Sequence, residues 1–469
     1  MKGNVSVVIL AAGLGTRMKS KKAKVLHEAG GDTLLNHVIR AALHVASPEN
    51  IIAVVGHQAQ QVRESVPVPG VRFVEQVEQK GTGHAALSAR EAVASAPGQL
   101  LILNGDGPLL RPETLRELLD LQAEKKLGGA LVTTELPDAT GYGRIVRDTS
   151  GLIAAIVEHK VASPEELKIR EMNPGLYCFD APLFWQYAGE LTPNNPAHEY
   201  YLTDMVEILT RHGHPVAPLL VEDGVELIGI NTRADLAAAD RVLRARKTSE
   251  LMLSGVTIEN PESVTIDVDV EVGQDSVIEA NVQLRGHIRI GPNCRIGTGS
   301  VLRDCEIADH VTILPYVVAE ASSIGAQSFV GPFSRLRVNA QAAEGTHIGN
   351  FVELKKTRLG KGSKASHLAY LGDSAIGSGV NIGAGSITCN YDGVQKHQTT
   401  IADDVFVGSN STLVAPLKIS EGAFIAAGSV ITRDVEPESL ALGRAQQVDK
   451  PGWAKKRKQR GNLSRAEKG

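Results

Sequence analysis

Aromatic side chains are scarce in this chain: Phe, Trp and Tyr make up 4% of its 469 residues. An interior built on large rings is therefore not expected, whereas narrow packing of aliphatics is. Cysteine is rarer still. Cys178, Cys294, Cys305 and Cys389 show no C-x-x-C pairing, which points to a reduced, cytoplasmic setting. No apolar run approaches the roughly 20 residues of a membrane span, so no membrane insertion is expected. The short run 5–12 behind Met1 and Lys2 imitates a signal peptide. It is too brief and leads straight into a glycine-rich loop, so it reads as a buried first strand. Neither sign of charge is in large excess. The formal net charge is -4, which gives no reason to expect nucleic acid as a partner. Hydrophobic residues make up 42% of this length, and two or three domains are expected.

What the chain does have is a ladder with a period of six. Ile401, Val407, Leu413, Ile419, Ile425 and Ile431 are branched aliphatics at every sixth position. The residues four places on, Val405, Ser411, Leu417, Ala423 and Ser429, are small or apolar. The same spacing runs through Ile324, Val330, Leu336, Ala342, Ile348 and Leu354. Six matches neither the period of a helix nor that of an isolated strand. It fits a chain that turns a corner every six residues and points one aliphatic inward per side. Three sides close a coil of about 18 residues, and stacked coils make a parallel β-helix. Hexads begin near Ile258 and run through Val272, Ile278, Leu284, Ile290 and Ile296. A register break is expected near Leu302, with the ladder resuming by Ile324. Between Leu354 and Ile401 the period is interrupted, and a loop leaving the ladder is expected there. Repeat proteins commonly place binding groups on such loops.

The first half reads differently. Apolar runs at 5–10, 51–55 and 100–103 alternate with an amphipathic stretch holding Leu34, Leu35, Val38, Ile39, Ala42 and Leu43. This predicts an α/β unit with a mostly parallel sheet and ligands at the carboxyl ends of its strands. The loop 10–18 carries Gly13-x-Gly15, but Met18 stands where a dinucleotide fingerprint needs a third glycine. What remains is a turn of small residues exposing backbone N–H groups, followed by cations, which suits a polyphosphate. Arg17 and Lys24 read as phosphate contacts, and Lys19, Lys21 and Lys22 as a solvated segment. Asp106 follows a strand end and is a candidate magnesium ligand, with Asn231 as a second oxygen donor.

Three stretches taken together carry a resemblance: residues 10–18, Gln76-x-x-Gln-x-Gly81-Thr82, and Gly105-Asp106-x-Pro-Leu. They resemble the sugar-phosphate nucleotidyltransferases. Nearest are the bifunctional N-acetylglucosamine-1-phosphate uridylyltransferases and glucosamine-1-phosphate acetyltransferases. Gly141-Tyr-Gly143-Arg144, Val157-Glu158-His-Lys160, Asn173-x-Gly175, the run 199–204 and Gly229-Ile-Asn231 extend the likeness. The resemblance implies that Leu10, Ala11, Ala12, Gly13, Lys24, Gln76, Gly81 and Thr82 bind UTP or its uridine. Asn104, Gly105 and Asp106 complete that site. Gly143, Glu158 and Asn173 would hold the N-acetylated sugar. Asp106 and Asn231 would hold Mg2+, and Arg17 and Lys24 would assist catalysis. A carboxamide such as Gln76 offers a donor and an acceptor to uracil. Two residues depart from the family pattern. Ala23 replaces a proline before the lysine, for which Lys22 is the alternative, and Pro174 replaces a small hydroxyl residue.

The likeness continues through residues 349–356 and 359–393 into the acetyltransferase half. It implies that His367 accepts the proton of an amino sugar, work that suits an imidazole near its ordinary pKa. By the same likeness Arg337 and Lys355 bind the sugar phosphate, and Tyr370 and Asn381 the sugar. Ala384, Asn390, Tyr391, Ser409, Ala427 and Arg444 would line the acetyl-CoA site, Ala427 through its backbone. The basic stretch 450–460 reads as a disordered, solvated tail.

The expected organisation is a uridylyltransferase domain over 1–233, a helical linker over 234–254 and a hexapeptide-repeat acetyltransferase domain over 255–469. The fold class is α/β followed by a left-handed parallel β-helix, the hand and a homotrimer being what the resemblance implies. Glucosamine 1-phosphate, acetyl-CoA and UTP are the expected substrates. The alternative is a single-activity nucleotidyltransferase whose β-helix only assembles or regulates it.

Overall fold

A computed structural model describes residues 5–93 and 98–466. Contacts divide the chain into two units. The first runs to Glu250 and takes in Ile266–Asp269; the second holds Leu251–Thr265 and the chain from Val270 onward. The helix Arg233–Leu253 thus lies mostly with the first unit.

The first unit is built on one sheet. In chain order its strands are Val5–Ala11 (β1), Ile51–Val55 (β2), Arg72–Glu75 (β3), Gln99–Asn104 (β4), Gly129–Glu135 (β5), Gly143–Arg147 (β6), Ile153–Val157 (β7), Glu171–Asn173 (β8), Tyr177–Asp180 (β9) and Val216–Leu220 (β10). They lie in the order β3-β2-β1-β4-β9-β5-β8-β6-β7, with β10 also paired to β5. β1, β2 and β4 read as unbroken apolar runs because both faces are covered, and Val7, Ile9, Ile52, Val54, Leu101 and Leu103 are fully buried. The helix Leu34–Leu43 turns its apolar stripe inward, with Thr33 as N-cap accepting from Asn36 N.

The sheet is mixed, not mostly parallel. β3, β2, β1 and β4 run parallel. β9 lies antiparallel between β4 and β5, and β8, β6 and β7 pair antiparallel. The parallel half carries the glycine-rich turn after β1 and Asp106 after β4, both at carboxyl ends.

The second unit is a three-sided parallel β-helix. Strands of two to four residues stack into three sheets of eleven, ten and nine strands. The ladder residues point inward, and Ile401, Val407, Leu413, Ile419 and Ile425 are almost wholly buried. Two sequence expectations need correction. Near Leu302 the ladder does not stop. Leu302, Ile307, Ile313, Ala319 and Ile324 are all buried, and the apparent break is two sides of five residues. Nor does it lapse between Leu354 and Ile401, where Leu359, Ala365, Leu371, Ile376 and Ile382 continue it. Coils there close in 17 residues, as Ile348 pairs with Ala365, instead of the 18 by which Leu336 pairs with Leu354. A corner tolerates one residue fewer while the inter-coil hydrogen bonds keep register. Between Leu354 and Ile401 the excursion is residues 390–398, which leave the prism between strands Ile387–Cys389 and Thr399–Ile401.

The basic end is not disordered either. Trp453–Ala466 forms a helix, with the Arg457 guanidinium 5.6 Å from the centre of the Trp453 ring. Lysine and arginine are good helix formers, and a cation–ring pair four residues apart supports the turn.

Candidate functional site

Two joined hollows lie at the carboxyl edge of β1 and β4. The larger, of about 810 Å³, is lined by Leu10, Ala12, Gly13, Arg17, Gln76, Gly81, Thr82, Asn104, Asp106 and Glu158 among others. The smaller, of about 210 Å³, shares Leu10, Gly13, Arg17 and Asp106 and adds Ala11, Lys24 and Asn231.

The turn after β1 is shaped by glycine. Gly15 sits at φ +62°, and a Cβ there would lie 2.6 Å from Lys24 Cβ. Its absence lets Lys24 pass beneath the turn. A Cβ on Gly13 would meet nothing within 4 Å, so the space above Gly13 is open to a ligand. The Lys24 ammonium donates to Asp106 and, at 2.7 Å, to Asn231 Oδ1. Arg17 donates to the same oxygen at 2.8 Å. Asp106 and Asn231 thus face one cation with a carboxylate and a carboxamide oxygen. Two hard oxygen donors around a cation fit magnesium, which keeps several waters of its own. Lys22 instead pairs with Glu28 at 3.3 Å, which leaves Lys24 as the lysine of the site.

Both departures from the family pattern have local explanations. The Ala23 N–H donates to Gln58 Oε1 at 2.7 Å, a bond that proline has no hydrogen to make. Pro174 keeps the bond that matters locally, because its carbonyl accepts from Asn104 Nδ2 at 3.1 Å.

At the far end of the larger hollow, Gln76 is buried. Its Nε2 lies 3.2 Å from Gly81 O and 2.9 Å from His84 Nδ1. Gly81 has φ +102°, and a Cβ there would lie 2.5 Å from Tyr200 O. Gly105 N donates to Leu10 O at 2.9 Å and ties the two strand ends together. Glu158 stands just past β7 and accepts a long bond from Thr203. Burial pushes its carboxyl above the usual range, against that bond. Burial, with Glu207 and Glu158 nearby, pushes Asp204 up to about 6.

Gly143 and Asn173 are cross-strand partners, but neither lines the hollow. Asn173 is buried, donating to the Tyr177 hydroxyl at 2.6 Å and accepting from Gly175 N at 3.0 Å. Sequence reading passed over Gln79, whose Nε2 donates to Ala12 O at 2.6 Å. It also passed over Lys160 and Tyr201, which line the hollow. All three lay inside the quoted motifs without being singled out.

The second unit arranges its candidates in columns. Asn350 pairs with His367 across adjacent coils. The registers that follow carry the same place to Ala384, Ser409 and Ala427. Coils are ~4.8 Å apart, so His367 to Ala427 spans three steps, roughly 14 Å. His367 is exposed, and its Nδ1 lies 2.6 Å from Asn350 Oδ1. A carboxamide oxygen only accepts, so Nδ1 carries the proton and Nε2 keeps its lone pair.

A second column holds Arg337 and Lys355 on successive coils. Arg337 bonds Glu353 Oε1 at 2.7 Å, and Lys355 lies 3.7 Å from Asp373. Asn390 donates to the same carboxylate. Lys396, from the excursion, was missed by sequence reading. The neighbouring Lys355 ammonium holds Lys396 below its usual pKa. Tyr370 begins the strand Tyr370–Gly372 that separates the two columns. Asn381 lies on the neighbouring face, paired with Lys364 and Phe406. Tyr391 is exposed at the excursion, and Arg444 is exposed beyond the last rung at Leu440–Ala441.

Comparison with known proteins bears on both units. Residues 7–160 match the MobA-like NTP transferase domain. Residues 269–304 match the bacterial transferase hexapeptide of six repeats, and 398–433 the hexapeptide repeat of succinyl-transferase. The chain is 56% identical over 454 residues to the bifunctional protein GlmU of Solibacter usitatus, covering 97% of each chain. It is 48% identical to that of Koribacter versatilis, again over 97% of each. To the Streptococcus agalactiae protein of the same name it is 43% identical, over 96% of this chain and 97% of the other.

Proposed function

The chain belongs to the family of the bifunctional protein GlmU, and from that premise we propose how its two units divide the chemistry. It is a bifunctional transferase: an α/β nucleotidyltransferase unit precedes a left-handed parallel β-helix of hexapeptide repeats. It moves the acetyl group of acetyl-CoA to glucosamine 1-phosphate, and the uridylyl group of UTP to N-acetylglucosamine 1-phosphate.

The uridylyl step is assigned to the first unit. The observation that carries it is the meeting of Arg17, Lys24, Asp106 and Asn231 at one turn. A phosphate oxygen of the sugar attacks the α-phosphorus of UTP, and the bond to pyrophosphate breaks. Arg17 and Lys24 neutralise the charge that collects on the phosphate oxygens. With Lys24 on the phosphates, Asp106 and Asn231 would hold magnesium. When bound, that ion supplies charge neutralisation and alignment of the phosphates. Gln76, Gly81 and Thr82 take the base and ribose, and Glu158 faces the sugar.

The acetyl step is assigned to the second unit. Nε2 of His367 takes a proton from the sugar ammonium. The amine then attacks the thioester carbonyl and the C–S bond breaks; the leaving thiolate takes the proton held by the imidazolium, and the nitrogen loses its remaining extra proton to water. The strand Tyr370–Gly372 spans roughly 10 Å, which suits a sugar phosphate laid across it. Its amine would meet His367 and its phosphate Arg337, Lys355 and Lys396. The coenzyme would follow the column Ala384, Ser409 and Ala427.

A cytoplasmic homotrimer is part of the proposal. Its support is an apolar corner beside His367. Tyr316, Phe333 and Phe351 stack with centroids 5.3 and 5.4 Å apart, and with Leu368 each is about half exposed. A neighbouring copy would cover that corner. Two assays on one preparation test the whole reading. Pyrophosphate should appear from UTP and N-acetylglucosamine 1-phosphate with magnesium, and free thiol from acetyl-CoA and glucosamine 1-phosphate. Absence of either product removes the corresponding assignment.

A further inference from the structure

One wall of the larger hollow holds a hydrogen-bonded triad whose polarity can be read without ambiguity. Gln76 is 4% exposed, so neighbours and not water set which way its carboxamide points. Gly81 offers a carbonyl oxygen 3.2 Å from Nε2, and a carbonyl only accepts. The end of Gln76 facing it is therefore the amide nitrogen, which has two hydrogens to give and accepts none. His84 Nδ1 lies 2.9 Å from the same nitrogen. It too must accept, so the neutral ring carries its proton on Nε2. His84 is itself held in place. It sits in the first turn of the helix Thr82–Ser88, and its ring lies against Tyr200 with centroids 6.0 Å apart. Its carbonyl accepts from Ser88 Oγ at 2.8 Å.

Resting on the uridylyl reading above, we propose that His84 is the positioning residue for base selection. With Gly81 O it takes both hydrogens of the Gln76 amide nitrogen, so that the carboxamide oxygen is what Gln76 offers to a base in the hollow. Uracil N3–H donates to that oxygen. Cytosine offers a bare ring nitrogen at the same place, so acceptor meets acceptor. Remove the acceptor on residue 84, and one of the two bonds that hold the amide nitrogen away from the base is lost, so the amide can turn that nitrogen toward the bare ring nitrogen of cytosine.

The test compares kcat/KM for UTP and CTP in the full-length protein at saturating N-acetylglucosamine 1-phosphate. His84→Asn places an amide oxygen near where Nδ1 stood and keeps the acceptor. His84→Gln, which carries its amide out to the Nε2 position, and His84→Phe do not. The wild type and His84→Asn should favour UTP alike. His84→Gln and His84→Phe should lose roughly 10–100-fold of that preference, the scale of one mispaired buried hydrogen bond. The loss should fall on KM for UTP, leaving KM for the sugar phosphate unchanged. If His84→Phe fails to fold, the Asn and Gln variants still decide. Equal UTP preference in those two overturns the role of His84 while leaving the uracil reading intact. A wild type with no preference for UTP over CTP overturns the uracil reading itself.

Discussion

The two units build their sites by opposite means. In the first, the partners come from far apart: Arg17 and Asn231 are 214 positions distant, Lys24 and Asp106 82. Each sits on a loop or a single 3-10 turn that only the finished sheet brings to the same edge. In the second, Asn350, His367, Ala384, Ser409 and Ala427 follow one another by 17, 17, 25 and 18 residues. There the spacing of the site is the spacing of the fold. A loop-built site depends on the whole sheet, whereas a column-built one depends on the register of a few neighbouring coils.

The sharpest break of that comparison is His367→Ala. Acetyl transfer should fall roughly 10²–10⁴-fold, the usual worth of a positioned base. Uridylyl transfer, fed with N-acetylglucosamine 1-phosphate, should be unchanged. Loss of both in one preparation would mean that the units do not fold independently. The mirror experiment is Asp106→Asn, expected to cost uridylyl transfer roughly 10²–10³-fold, as for other lost charge stabilisation. Acetyl transfer should survive, and manganese titration followed by paramagnetic resonance should show weaker binding with UTP. A smaller effect tests the column alone. Asn350→Ala frees Nδ1 of His367 and should slow acetyl transfer about tenfold, as loss of a ligand-orienting partner commonly does. Its KM for acetyl-CoA should hold.

The smallest effect concerns stability. Asp204 titrates near 6 when folded, above its ordinary 3.8, so the folded protein holds that proton more tightly. The contribution is favourable below the ordinary value and is lost as pH rises through 6. Asp204→Asn should therefore raise stability above about pH 7 by about 1 kcal/mol, allowing for solvent screening. Near pH 4 the gain should vanish. Urea melts at the two pH values measure the difference.

The same contrast explains what could be read beforehand. The prism announced itself because one aliphatic must enter a narrow interior on every side, and Ile401 through Ile431 do so without exception. The five-residue sides hid the ladder at Leu302 and again after Leu354, since a pattern counted in sixes loses register when a corner tightens. The column through His367 stayed invisible for the same reason: it emerges only once the offsets between coils are known. In the first unit, Asp106 and Asn231 were named from motifs, but nothing local told that Lys24 would stand between them. Gln79, Lys160 and Tyr201 look like any solvated polar residue until the hollow they line exists. Asn173 was also named from a motif, and one of its amide hydrogens and its oxygen already hold Tyr177 and Gly175 in place.

A chain that rises by a constant amount per turn is also a ruler. Three graduations separate the imidazole from Ala427, and on the proposed reading a thioester stretched along them would be measured in whole coils. Adding one coil between Ala384 and Ser409 would lengthen the scale by ~4.8 Å without disturbing the chemistry at its zero mark. Relatives with an extra turn there would be suited to longer acyl carriers, chosen by counting and not by a reshaped pocket.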